Sequence, residues 1–284
     1  MNAVDPALGH RLGQRPVQGL RWSPAPIPRA SLWLHAAAMF GLAGQPEFWP
    51  QTLALLAGNH ALLAGLMHPR GGRLGPNLVR LPAGMEGRIA LTFDDGPDPV
   101  VTPRVLDLLD RHGAKASFFV IGCKAARHGA LLREVLRRGH TVENHSQHHR
   151  GHFACHGPWA LRREVALAQR AIAEACGVAP RFFRAPMGLR SPLLDPVLAA
   201  EGLQLVAWTR RGYDGRDGRA DRVLARLTRG LAGRDILLLH DTAPRGRPAA
   251  VLGVLPRLLE RCAAAGLSVG SLAAVPARPG TGGP

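Results

Sequence analysis

From residue 88 onward, short apolar runs alternate with longer stretches whose apolar positions recur every three or four residues. That is the pattern of strands alternating with amphipathic helices. It predicts strands over 89–93, 116–121, 141–144, 182–184, 203–208, 236–239 and 267–269. Helices are predicted over 102–112, with Thr102 as N-cap and Pro103 in the first turn, and over 131–138, stopped at Gly139. Two more are expected over 158–175, ending before Gly177, and over 251–265. This order implies a parallel sheet or barrel, in which functional groups gather at the C-terminal ends of the strands.

Upstream the pattern differs. Residues 31–43 and 48–67 are apolar and free of Asp, Glu, Lys and Arg, with Gly44-Gln45-Pro46-Glu47 between them. The second stretch is about the length a bilayer span needs, roughly 20 residues, and the first is short. His35, Gln51, Asn59 and His60 interrupt both. The pair reads either as a membrane hairpin or re-entrant anchor, or as a helical hairpin packed on the domain. If both stretches span, Arg11, Arg15, Arg21 and Arg29 before them and Arg70, Arg73 and Arg80 after them place both ends in the cytoplasm. If only the second spans, the domain lies outside. A cleaved signal peptide fits poorly, because the leader is long and no small-x-small site follows. The expected organisation is a flexible arm (1–30), an apolar helical hairpin (31–68) that is a candidate anchor at the inner membrane, a linker (69–87), an α/β domain (88–272) and a flexible tail (273–284).

The formal net charge of +16 comes almost wholly from arginine, since Lys115 and Lys124 are the only lysines. The charge could attract anionic lipid or a phosphate-bearing substrate, or reflect compositional bias, the arginines being scattered. Nucleic acid is not an expected partner, because no stretch interleaves aromatic with basic residues. Cys123, Cys155, Cys176 and Cys262 form no C-x-x-C pair and suggest no disulfide framework.

The candidate chemistry lies in Thr92-Phe93-Asp94-Asp95-Gly96-Pro97 and, some fifty residues on, His145-Ser146-Gln147-His148-His149. One carboxylate and two imidazoles can hold a zinc-like ion and leave a position for water. A second carboxylate can then act as base toward that water. Side chains alternate along a strand, so Asp94 and Asp95 would point different ways and serve different roles. His145 and His149 would share one face of a helical turn, while His148, His152 and His156 crowd the same stretch. Arg184, Asp214 and His240 also fall at or just after predicted strand ends. An Arg there can hold a carboxylate ionised, and a His can serve as general acid.

Together these pieces resemble the polysaccharide deacetylase family, with its NodB homology domain (carbohydrate esterase family 4), over roughly residues 88–270. Thr92–Pro97 resembles its first motif, Asn144–His149 its second, Arg184-Ala185-Pro186-Met187-Gly188 its third, Asp214 its fourth and Leu237–His240 its closing L-x-x-H. The resemblance implies a distorted (β/α)7 barrel. It implies that Asp95, His145 and His149 bind one divalent metal ion, a ligand set that suits zinc. Asp94 would be the base and His240 the acid, with Arg184 orienting Asp94 and Asp214 orienting His240. A backbone N–H at Met187 would be an oxyanion donor, and Leu238 would wall a small acetyl pocket. Met187 stands where the family usually has Tyr, and Gly215 where it usually has Trp, so two aromatic substrate contacts are absent.

The implied activity is removal of an N-acetyl group from an amino sugar of a cell-envelope polysaccharide. The alternative is deacylation, whether deacetylation or deformylation, of a lipid-linked amino sugar at the inner membrane, which the apolar hairpin and net charge favour. A non-catalytic sugar-binding relative would be expected to have lost polar positions that this chain retains.

Overall fold

The computed structural model describes residues 22–243 and 248–276. Most of the expected arm, and the tail beyond residue 276, lie outside the described residues. Two helices come first, α1 (Pro26–Gly44) and α2 (Trp49–Gly65). Each opens on a proline in its first turn, where the missing N–H costs nothing. Helix α1 begins inside the stretch expected to be an arm.

Three polar interruptions of the apolar stretches, His35, Asn59 and His60, make contacts from one helix to the other, whereas Gln51 is exposed. Asn59 Nδ2 donates to Ser31 Oγ at 2.8 Å, and the His35 and His60 rings stand edge to face, 5.1 Å apart. Ser31, His35 and Asn59 face the partner helix while His60 stays exposed, and apolar side chains lie outside, among them Trp33, Met39, Phe40, Trp49 and Leu53, each more than half exposed. Among the described residues, no helix is long and apolar enough to cross a membrane. This corrects the expectation that residues 48–67 reach spanning length: α2 stops at Gly65, and its Pro, Gln, Asn and His lower its apolarity.

The remaining elements alternate as the periodicity requires. They are β1 (Arg88–Gly96), α3 (Val101–Arg111), β2 (Ser117–Val120), α4 (Gly122–Ala125), α5 (Gly129–Arg137), β3 (Thr141–Asn144) and α6 (Pro158–Cys176). There follow β4 (Phe182–Phe183), α7 (Leu194–Ala200), β5 (Gln204–Leu205), β6 (Arg210–Arg211), α8 (Ala220–Thr228), β7 (Ile236–His240), α9 (Val251–Ala264) and β8 (Ser268–Gly270). All pairings are parallel, in the order β5-β4-β3-β2-β1-β7-β6, with β8 beside the start of β1. The curled sheet with helices on its outer face is a distorted (β/α)7 barrel. Residues 78 and 80 bridge its two margins, Leu78 to Val206 and Arg80 to Asp235.

Thr102 does not cap α3. Its hydroxyl turns inward to the Asp241 carboxylate at 2.6 Å, and Asp98 Oδ1 accepts the Val100 and Val101 N–H groups instead. The last described residues are not a loose tail: Leu272 and Val275 are buried against Leu81, Ala90 and Ile236. The main core lies between sheet and helices, where Leu91, Phe93, Phe118, Leu237 and Leu239 meet apolar faces of α3, α5, α6, α8 and α9.

His140 is buried in this layer. Its Nδ1 accepts the Ala116 N–H at 3.1 Å and its ring meets Phe118 edge-on. Burial, reinforced by the Lys115 charge, pushes its pKa down to about 4. An unfolded chain takes up that proton near pH 6.5, so the stabilisation is whole above pH 6.5 and is lost as pH falls toward 4. Over that window the melting temperature of the native chain should fall a few degrees more than that of His140→Gln, about 1–2 kcal/mol allowing for partial solvent access. Parallel melting curves for the two proteins would refute this.

Candidate active site

The C-terminal ends of β1, β3, β4 and β7 meet at one end of the sheet. Asp94 is in register with His240 on β7 and with Phe119 on β2. Val120, Asn144 and Phe183 are aligned across β2, β3 and β4. His145 and Arg184 therefore emerge at one level, bonded through His145 N–H to the Val120 carbonyl and Arg184 N–H to the Asn144 carbonyl, both at 3.0 Å.

Regular alternation would point Asp95 away from Asp94. Instead the β1–β2 register slips between Asp94 and Gly96, and Asp95 adopts φ 72°. This bulge re-aims the Asp95 side chain, so both carboxylates line one pocket. The Gly96 Cα lies against the Asp241 carboxyl, leaving no room for a Cβ. Lys124 Nζ braces the Asp95 carbonyl at 2.7 Å.

The two histidines are not on a helical turn. They sit on the loop after β3, where Ser146 (φ 66°) and His149 (φ 50°) are both left-handed. The loop is pinned by Asn144 Oδ1, which accepts the Ser146 N–H at 2.9 Å, and by Ser146 Oγ, which accepts the His149 N–H at 3.0 Å. Asn144 is held in turn by Gln169 and the Val165 carbonyl on α6. Asp95, Ser146, His149 and Met187 are four of the six non-glycine residues with positive φ among those described. Such conformations cost about 1–3 kcal/mol each and collect at functional sites.

His145 Nε2 and His149 Nε2 lie 3.4 and 3.3 Å from Asp95 Oδ1. One ligand atom from each of these three residues falls within 4.8 Å of the others. Asp95 Oδ1 is buried with no hydrogen-bond partner. His145 Nδ1 is occupied by the Arg184 carbonyl at 2.8 Å, which leaves Nε2 facing the cluster. Burial opposes the Asp95 charge, yet the imidazoles of His145 and His149 and the nearby His240 hold its carboxyl below the ordinary carboxylate range. Burial, with His145 beside it, pushes His149 down, keeping its imidazole neutral. An anionic oxygen and imidazole lone pairs converging on one point suit a divalent ion.

Two ion pairs flank the cluster. Arg184, 1% exposed, donates from Nη1 to Asp94 Oδ1 at 2.6 Å and to Thr92 Oγ1 at 2.9 Å, and from Nη2 to the Ala207 carbonyl. Burial pulls its pKa down and Asp94 opposes this; the guanidinium stays charged. Asp214 accepts the His240 N–H at 2.8 Å and its Nδ1–H at 2.9 Å. Burial resists charge on His240, but the Asp214 hydrogen bond and the negative charges of Asp214, Asp95 and Asp94 raise its pKa to about 9.

Asp94, Asp95, His145, His149, Met187, Leu238 and His240 line a pocket of about 60 Å3, while Arg184 and Asp214 stand behind it. The geometry thus gathers every residue anticipated for the site. Three of the crowded histidines fall elsewhere. His148 donates to Glu164 through its backbone N–H at 3.0 Å and pairs with it through Nδ1 at 2.7 Å, and His152 and His156 pack on each other 4.9 Å apart. Trp208 and Arg211 line the pocket without having been anticipated. Their signal lay in the sequence, beside Asp214 in Trp208-Thr209-Arg210-Arg211, but nothing in one strand says which margin of a curled sheet it joins.

The polysaccharide deacetylase family matches residues 83–206. A chitooligosaccharide deacetylase of Bradyrhizobium sp. (strain ANU 289) is 39% identical over 159 residues, 56% of this chain and 72% of that protein. A peptidoglycan-N-acetylglucosamine deacetylase of Bacillus cereus is 34% identical over 175 residues, 60% of this chain and 81% of that one. Among solved structures, a family 4 carbohydrate esterase from Streptomyces lividans in complex with acetate superposes with a TM-score of 0.60 at 33% identity, covering 66% of this chain and 93% of the esterase. The shared sequence spans most of each relative and carries the first three motifs, whose residues meet in this one pocket, so the chain belongs to the polysaccharide deacetylase family.

Proposed function

We propose that the protein is a metal-dependent hydrolase that removes the N-acetyl group from an amino sugar of a cell-envelope polysaccharide. The observation that carries this reading is the convergence of Asp95, His145 and His149 between the Asp94–Arg184 and His240–Asp214 pairs. Asp95, His145 and His149 would hold the ion, with zinc the best match to two imidazoles and a carboxylate. When bound, it supplies a Lewis acid toward the amide carbonyl and lowers the pKa of water.

The chain's own groups do the rest. Asp94, fixed by Arg184, accepts the proton of the attacking water. His240, fixed by Asp214, carries a proton at neutral pH and gives it to the leaving amine nitrogen. The left-handed turn at Met187 sets a backbone N–H at the pocket rim as an oxyanion donor. Leu238 closes the wall. The cavity of about 60 Å3 between Leu238 and the metal-ligand cluster suits a short acyl group.

The second reading, deacylation of a lipid-linked amino sugar, is favoured by the exposed apolar faces of the hairpin. A surface of that kind is normally covered by a partner or a membrane interface. On this reading the hairpin lies against the inner membrane and the pocket works beside it. The test of both readings is acetate and amine release by the metal-loaded protein. It is offered N-acetylglucosamine tetramer and a prenyl-diphosphate-linked N-acetylglucosamine in parallel. Turnover of the tetramer supports the polysaccharide reading, turnover of the lipid-linked sugar alone supports the second, and turnover of neither overturns both substrate assignments.

A further inference from the structure

Beside the catalytic pocket runs a groove of about 410 Å3 whose wall carries Arg70, Arg210, Arg211 and Arg226 and no acidic residue. Trp208 and Arg211 line both cavities, so the groove opens directly onto the reacting centre. Arg210 is paired with Asp235, and Arg226 with Asp217. Arg211 differs: among the described residues it has no carboxylate partner, and its Nε is buried without a hydrogen bond. Its guanidinium lies over the Trp208 and Tyr213 rings, 5.1 and 5.0 Å from their centroids. Arg70 is exposed and tied to the groove by a hydrogen bond from Nη1 to the Thr209 carbonyl at 3.2 Å, and it has no carboxylate partner among the described residues.

Alternation along β6 explains the division of labour. Arg210 turns to Asp235 and the loop after α8, and Arg211, in register with Leu238 of the pocket wall, turns to the groove. Tyr213, at φ 59° and exposed, holds its ring beside Arg211 at the rim. A stacked guanidinium keeps its in-plane N–H fork free, the geometry that takes two oxygens of one oxyanion. Two such cations match a phosphate, which carries up to about two negative charges.

We propose that this groove is a subsite for a phosphate group carried by the amino-sugar substrate, with Arg211 and Arg70 as its ligands. The inference rests on the deacetylation reading and narrows its substrate to a phosphorylated N-acyl amino sugar. A soluble sugar phosphate and a lipid-linked one share this chemistry. The chain passes from the apolar hairpin into His68, Pro69 and Arg70 of the groove wall, which gives a lipid-borne phosphate a path along the hairpin.

The test compares metal-loaded native protein with Arg211→Gln and Arg70→Gln. Three substrates are used: methyl N-acetylglucosaminide, N-acetylglucosamine 1-phosphate and the farnesyl ester of the latter. Binding of the 1-phosphate is measured separately by calorimetry. The native protein should favour a phosphorylated substrate over the neutral one in kcat/KM, and each substitution should shrink that preference about tenfold, as expected for loss of a charged hydrogen bond. Arg70 is exposed, so its variant carries the test independently of any folding effect at Arg211. An equal preference in all three proteins overturns the subsite. Binding of the 1-phosphate that is lost in Arg211→Gln, with no substrate deacetylated, upholds the subsite and overturns the deacetylation reading instead. Preference for the farnesyl ester over the free 1-phosphate identifies the lipid-linked source, and the reverse identifies the soluble one.

Discussion

Asp94→Asn should lower kcat on an N-acetylated amino sugar by about 10^2–10^4-fold, the usual contribution of a positioned general base. The amide retains an oxygen for Arg184 Nη1 but no basic lone pair for the water proton. Metal content should stay at the native level, because Asp94 lies outside the Asp95–His145–His149 cluster. Stability should fall as well. Arg184 is buried, and the substitution removes the only carboxylate with which it is seen to pair among the described residues. Breaking a buried pair costs about 3–5 kcal/mol, less here because an acceptor remains. Turnover, metal per chain by atomic emission and melting temperature, measured on one preparation, separate the two effects. Activity within tenfold of native, with metal bound, would remove Asp94 from the role of base.

Stripping divalent ions with a chelator should take activity to background, and adding back one equivalent of zinc should restore it. The three ligand atoms are already gathered within 4.8 Å, so the site needs little rearrangement to load. His149→Ala leaves two ligands of the three, and its metal affinity should fall by well over tenfold. His148→Ala is the matched control, since His148 is engaged by Glu164 instead of the cluster. Full activity in chelator-treated protein shown to be metal-free would rule out the metal-assisted mechanism, whereas recovery with another divalent ion but not zinc would revise only the identity of the metal.

Much of this was legible in the chain. Apolar runs ending at Asp94, Asn144, Arg184 and His240 place those residues correctly, because a parallel sheet stacks its strand ends and periodicity reports where strands stop. The pairing of Arg184 with Asp94 and of Asp214 with His240 was implied by the family resemblance, and the structure brings each pair into contact. What was misread is local geometry. Strand alternation would separate Asp94 from Asp95, but the bulge at Asp95 overrides it. A four-residue spacing suggested a helical turn for His145 and His149, but two left-handed residues make the loop instead. Thr102 resembles a helix cap, but a buried Asp241 claims its hydroxyl. At Thr102 a contact distant in sequence outweighs a local capping preference worth about 1 kcal/mol.

The sequence by itself determined the alternating elements, the residues that meet in the candidate site, the family and the apolar character of the hairpin. Those are properties of residue type and spacing, which a chain carries before it folds. The tertiary structure decided the rest. It set Asn59 against Ser31 and His35 against His60 across the two helices, so that an interrupted apolar stretch became a hairpin with apolar outer faces. It also set β6 beside β7, placing Arg211, which has no carboxylate partner among the described residues, between the candidate site and a basic groove. Net charge could not reveal that groove, because two of its four arginines are cancelled by Asp235 and Asp217, and which charges stay uncompensated depends on who faces whom across the folded sheet.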